Sequence, residues 1–195
     1  MNLHLPKSGK YVPVTVVRMS RKTLSIEVAQ DGTVLVKAPH YSSDGSIREF
    51  ISRHASWVEE RLERREMRAE KYAGLSRLTD EDIRGLAQQA LEYIPKRVAY
   101  YAPIVGVTYG RITIRNQRSR WGSCTAQGNL NFNCLLMLAP PEVIDSVVVH
   151  ELCHRLEMNH SEAFYREVYR VYPEYDRWHG WLKEHGDELM YRMTG

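Results

Sequence analysis

The chain has 195 residues, 43% of them hydrophobic and 26% charged, with a formal net charge of +3. That composition supports a single domain or a small domain fused to a larger one, with enough apolar content for a core. There is no run of about 20 apolar residues, no basic-then-apolar leader in Met1–Lys7, and an odd set of three cysteines. These features argue against a membrane span, a secretory signal and a disulfide scaffold, and for a reducing cytoplasm.

Residues 11–38 alternate like strands, in Val12–Val17, Leu24–Val28 and Thr33–Ala38, with a hairpin signal at Asp31-Gly32. The expectation is an antiparallel β-meander. A long charged helix follows over Asp44–Tyr72, with Ile47, Phe50, Ile51, His54, Trp57, Val58 and Leu62 as its apolar stripe. The mixed-sign run from Arg61 to Arg68 reads as its solvated face. Together these segments form an expected amino-terminal domain, residues 1–75.

The expected second domain, residues 76–195, opens on the capping signal Thr79-Asp80-Glu81-Asp82. Its first helix should run to about Tyr101, with a break or kink at Pro95. Four short strands are then expected: Val107–Tyr109, Arg111–Arg115, Ser119–Ser123 and Asn129–Leu136. No Asp or Glu occurs between Glu92 and Glu142, whereas Lys96, Arg97, Arg111, Arg115, Arg118 and Arg120 do. On strands, Arg111 and Arg115 share a face, as do Arg118 and Arg120. This basic stretch, Arg111–Arg120, suits a phosphate backbone, a nucleotide or an acidic peptide, or is a set of solvated arginines. Arg118, Arg120 and Trp121 are the weak candidates for substrate binding, and Trp121 also suits the core.

The next helix carries the chemistry. Ala139-Pro140-Pro141-Glu142 has proline at the first helical positions and an acid in the first turn. Val143, Ile144, Val147, Val148 and Val149 make the helix apolar and buried, and His150-Glu151-Leu152-Cys153-His154 follows. Histidines four residues apart lie on one helical face, about 5–6 Å between Cβ atoms, close enough to share an ion. Glu151 flanks that face, where a carboxylate can reach a metal-bound water. His160 supplies a third imidazole. A chance H-E-x-x-H arises in roughly 3% of such chains, and the added histidine lowers this to about 0.1%. Three protein ligands leave a fourth position open, which marks a catalytic zinc rather than a structural one.

The spacing 150, 154, 160 equals that of the metzincin signature, but Glu157 stands where that signature has glycine. The helix is therefore expected to end near Met158, with Asn159 turning the chain in a left-handed conformation and Ser161 capping the next helix. Phe164, Val168 and Val171 line that helix, which Pro173 ends; a last helix carries Trp178, Trp181, Leu182 and Leu189. The other histidines, His4, His40, His54, His179 and His185, have no matching spacing and read as structural or exposed. Cys124, Cys134 and Cys153 read as packing residues.

Several stretches carry a resemblance. Arg120-Trp121-Gly122-Ser123-Cys124, Gly128-Asn129-Leu130-Asn131, Val147–His154, and Asn159-His160-Ser161 with Phe164 resemble the YgjP-like metallopeptidase family. That family is similar to the WLM and SprT-like zinc proteases, some of which act on protein crosslinked to DNA. The likeness is close over residues 76–185 and looser before them. It implies His150, His154 and His160 as zinc ligands and Glu151 as the acid/base. Tyr165 stands where the family often has tryptophan, a change in packing.

The expected fold is α+β: a zincin-like catalytic domain, with a small antiparallel sheet and a metal-binding helix, behind an amino-terminal meander and long helix. An exposed strand would bind extended peptide by β-addition, either Ser119–Ser123 or, preferably, Asn129–Asn133. Tyr165, Tyr169 and the arginines are candidates for the oxyanion donor. The expected function is a cytoplasmic zinc metallopeptidase. The alternatives are a metal-dependent nucleotide pyrophosphatase or phosphohydrolase, and a nucleic-acid-associated protein with a non-catalytic metal site.

Overall fold

A computed structural model describes residues 1–29 and 31–193 of the chain. The backbone divides into two units, residues 1–74 and Leu75 onward, each built around its own apolar core.

The first unit holds strands β1 (Asn2–His4), β2 (Tyr11–Met19), β3 (Ser25–Val28) and β4 (Val34–Pro39), in the order β1-β2-β4-β3. It is not the expected meander. β2 and β4 are parallel, with Val14 opposite Val34, and antiparallel β1 and β3 flank them. Burial explains the order. Val34, Val36 and Ala38 of β4 are fully buried and demand a central place, whereas β3 has no fully buried residue and suits an edge. The Asp31-Gly32 turn forms as expected: Gly32 has φ 91°, and the Thr33 N–H donates to Asp31 Oδ1 at 2.8 Å.

The expected long helix is two helices, α1 (Asp44–Arg53) and α2 (Ala55–Lys71). His54 makes the break. Its Nδ1–H donates to the Phe50 carbonyl at 2.8 Å, while its backbone N–H turns to Ile51. The side chain thus takes the carbonyl that a continuous helix would use. Ile47, Ile51 and Val58 carry the apolar stripe onto the sheet residues of the core.

The second unit comprises α3 (Asp80–Val105), β5 (Ile112–Arg115), β6 (Gly122–Cys124), β7 (Leu130–Asn133), α4 (Pro141–Cys153), α5 (Glu162–Val171) and α6 (Tyr175–Arg192). Thr79 and Asp82 form a capping box at the start of α3. The helix passes Pro95 without the expected break. The carbonyl that Pro95 leaves unpaired belongs to Leu91, an exposed residue open to water, while Ile94, Val98 and Ala102 are buried in the core.

The sheet of this unit is mixed, not antiparallel. Its order is β5-β7-β6, with β7 parallel to β5 and antiparallel to β6. β7 is therefore central and cannot be the peptide-binding edge; β6 is the edge next to α4. Val107–Tyr109 and Ser119–Trp121 lie outside the strands, so Arg118 and Arg120 share no strand face. Asn133 holds the intervening loop: its Nδ2 donates to the Gln117 and Arg120 carbonyls at 2.6 and 3.0 Å.

Candidate metal centre

α4 starts on Pro141 and is buried along most of its length, which leaves its carboxyl-terminal turn to present polar groups. The helix ends at Cys153, five residues before the expected stop. Arg155, Leu156 and Glu157 close the end by donating backbone N–H groups to Leu152 and Cys153. Asn159 is not left-handed, since among the described residues only glycines have positive φ. No glycine is needed because the chain unwinds through these bonded turns before His160. Ser161 then caps α5, accepting from the Phe164 N–H at 3.3 Å.

This path brings three rings together. His160 Nε2 lies 3.0 Å from His150 Nε2, and His154 Nε2 lies 3.2 Å from it. All three ligand atoms fall within 4.8 Å of one another. Nitrogens bound tetrahedrally at 2.0–2.1 Å from one ion stand about 3.3 Å apart, close to the two separations at His150 Nε2. The tautomers suit such an ion too. His154 Nδ1 faces the Glu157 carbonyl at 3.0 Å, and a carbonyl only accepts, so the hydrogen sits on Nδ1 and Nε2 keeps its lone pair. Burial first, then the neighbouring His154, His160 and His179, hold His150 down to about 3, and burial also lowers His154; both are neutral at pH 7.

Glu151 sits beside this cluster, 5% exposed. Burial pushes its carboxyl up to about 8, and Oε2 has no hydrogen-bond partner. A buried carboxyl with an orphaned oxygen lacks a cation or a donor. Against its other side lies Gly122 of β6: a Cβ there would stand 2.5 Å from Glu151 Oε1. The glycine lets strand and carboxyl touch.

Two residues that the sequence reading set aside or passed over complete the centre. Tyr175, buried at the start of α6, places its hydroxyl 2.8 Å from His150 Nδ1 and 3.3 Å from His179 Nδ1. When His150 Nε2 holds an ion, Nδ1–H must donate to Tyr175 Oη, and the tyrosine O–H then donates to His179 Nδ1. His179 is thereby a neutral ring with its hydrogen on Nε2; burial, chiefly, keeps it below its ordinary value. The signal was the i, i+4 spacing of Tyr175 and His179 on one helical face.

Two clefts open on the centre. The larger, about 300 Å³, is lined by Arg120, Trp121, His150, Glu151, His179 and Lys183 among others. The smaller, about 230 Å³, is lined by Arg120, Ser123, Cys124, Glu151, Met158 and His160 among others. Arg120 borders both. Trp121 is half-buried and packs against Gly186. Arg118, Arg111 and Arg115 are exposed and line neither cleft. Tyr169 is tied to Asp176 through its hydroxyl, at 3.0 Å. Among the described residues no helix is long and apolar enough to cross a membrane.

The YgjP-like metallopeptidase domain model matches residues 22–85 and 76–185. No curated protein matches the chain. Two crystal structures of metallopeptidase zymogens are similar, abylysin of Pyrococcus abyssi and jannalysin of Methanocaldococcus jannaschii. They share 19% and 18% identity, with TM-scores of 0.43 and 0.42; each alignment covers 47% of this chain and 93% or 94% of theirs. The family match spans both units and takes in the converging histidines, and with it the chain belongs to the YgjP-like metallopeptidase family.

Proposed function

We propose that this metallopeptidase is zinc-dependent, with His150, His154 and His160 as the ligands and Glu151 as the general base. The observation that carries the proposal is the convergence of three Nε2 atoms beside a buried, unpartnered carboxyl at the mouth of two clefts. An all-imidazole donor set favours zinc over magnesium, which prefers oxygen ligands. Bound there, zinc supplies Lewis acidity toward the amide carbonyl and brings the pKa of water from 15.7 to about 7.

The chain's own residues do the rest. Tyr175 fixes the His150 ring with Nε2 unprotonated. Glu151 takes a proton from the attacking water at its free oxygen and delivers it to the leaving nitrogen. β6 receives the substrate backbone. Asn133 N–H donates to the Trp121 carbonyl and Thr125 N–H to the Asn129 carbonyl, so the alternation aims the backbone groups of Gly122 and Cys124 outward. The three free cysteines fit work in a reducing cytoplasm.

The test is metal analysis with peptide cleavage, in wild type and Glu151→Gln. Wild type should carry one zinc and lose cleavage on chelation; the variant should keep the zinc and lose cleavage by at least about 100-fold. Undiminished activity in the variant would remove Glu151 from the mechanism.

A further inference from the structure

The two clefts differ in charge. Glu151 is the one acid lining either of them, and it is buried between them. Arg120 and Lys183 line the larger cleft, on the loop before β6 and on α6 respectively, and both are exposed. Among the described residues neither side chain has a hydrogen-bond or ion-pair partner; Arg120 is held only through its backbone carbonyl, by Asn133. His179 lines the same cleft, with its Nδ1 engaged by the Tyr175 hydroxyl. Trp121 and Leu182 supply apolar wall between these polar groups. Lys183 is absent from the smaller cleft, where Cys124 and Met158 stand among the lining residues instead.

A guanidinium and an ammonium without partners, facing a cleft whose single acid is occupied with the catalytic centre, complement an anion. Resting on the peptidase reading, we propose that the larger cleft is a carboxylate subsite. It selects peptides that carry a carboxylate close to the scissile bond, with Arg120 and Lys183 as the specificity-determining pair. The carboxylate has two sources, an Asp or Glu side chain and a free carboxyl terminus. The methylene stem of a side-chain carboxylate, or the side chain of a terminal residue, packs on Trp121 and Leu182 while the carboxylate meets the cations.

The experiment uses the 195-residue chain loaded with zinc, and matched peptides. They carry Glu or Gln at successive positions on either side of the cleaved bond, each with a free or amidated carboxyl terminus. Expected is a preference of about tenfold in kcat/KM for Glu over Gln at one position, reduced to less than about twofold by Arg120→Gln with Lys183→Gln. Lys183→Glu should turn the preference toward lysine at that position. A preference that follows the free terminus instead assigns the terminal carboxylate as the source. Anisotropy binding of the same peptides to Glu151→Gln separates this proposal from the one beneath it. Carboxylate-selective binding without cleavage by wild type keeps the subsite and sinks the peptidase. Cleavage without preference sinks the subsite alone. Absence of selectivity in both assays, or selectivity that Lys183→Glu leaves unchanged, overturns the subsite.

Discussion

At the residue scale, two small groups govern whether Glu151 and His150 can act. Gly122 is a glycine because of contact rather than backbone conformation: an added Cβ would meet Glu151 Oε1 at 2.5 Å and Cδ at 2.8 Å. The carboxyl is already buried, so either it or β6 must move. With Glu151 as the proposed base, Gly122→Ala should lower kcat/KM by about 100-fold, the cost of a displacement near 1 Å in a catalytic group. Zinc content should stay at one ion, because the three atoms nearest this Cβ all belong to Glu151 and none to a histidine; loss of the metal would mean that the strand, not the carboxyl, had shifted. Tyr175 acts on the other flank. Under the proposed ligation its phenol oxygen is the acceptor that fixes the His150 tautomer, a task that a carboxylate or a backbone carbonyl performs at many metal sites. Tyr175→Phe removes that acceptor and keeps the ring. Zinc affinity, measured by competition with a chromophoric chelator, should fall about 10- to 100-fold with an unchanged circular dichroism spectrum. An unchanged affinity would reduce Tyr175 to packing.

At the element scale, α4 must be held still for its histidines to converge, and α3 does this. Arg97 of α3 grips Asp145 of α4 through both nitrogens, Nε at 2.6 Å and Nη2 at 2.7 Å, and the Tyr101 hydroxyl adds a bond at 3.2 Å. Asp145 is 8% exposed. Arg97→Met leaves that carboxylate buried with only the phenol beside it and should cost about 3 kcal/mol in urea unfolding. Adding Asp145→Asn should restore part of the loss, since the amide needs no counter-charge. The same elements show what a sequence discloses. The histidines, Glu151, the proline start of α4 and the Ser161 cap were readable because their signals are local: fixed spacings and end chemistry. Strand order was not. Whether β2 lies beside β3 or β4, and whether β6 or β7 is the edge, depends on which strand buries more, and periodicity is the same in both cases. The break at His54 was hidden because a side chain, rather than a helix-breaking residue type, takes the Phe50 carbonyl. Tyr175 and His179 were missed because their partner is 25 residues upstream for the first and reached only through the first for the second.

At the scale of the whole chain, the two units keep separate cores. One runs through Leu3, Val14, Val36, Ile47 and Val58, the other from Leu78 to Met193. The candidate metal centre and both clefts lie in residues 119–183, inside the second unit. We infer that the units unfold independently, and Glu59 provides a handle on the first. Glu59 is buried and accepts the Lys7 and Ser8 backbone N–H groups at 2.8 and 2.7 Å, pinning the loop between β1 and β2 to α2. Burial alone would raise its pKa, but those hydrogen bonds outweigh it and hold the carboxyl below the usual glutamate range. A depressed pKa contributes stability that is complete above the unfolded value, about 4.3, and is lost as pH falls through the lower folded value. Glu59→Gln should therefore lower the melting transition of the first unit at pH 7, and its difference from wild type should shrink as the pH drops below about 4. The transition of the second unit, followed separately through zinc retention, should not move. If both transitions shift together, the units are one cooperative body, and a fragment beginning at Leu75 would not stand in for the enzyme.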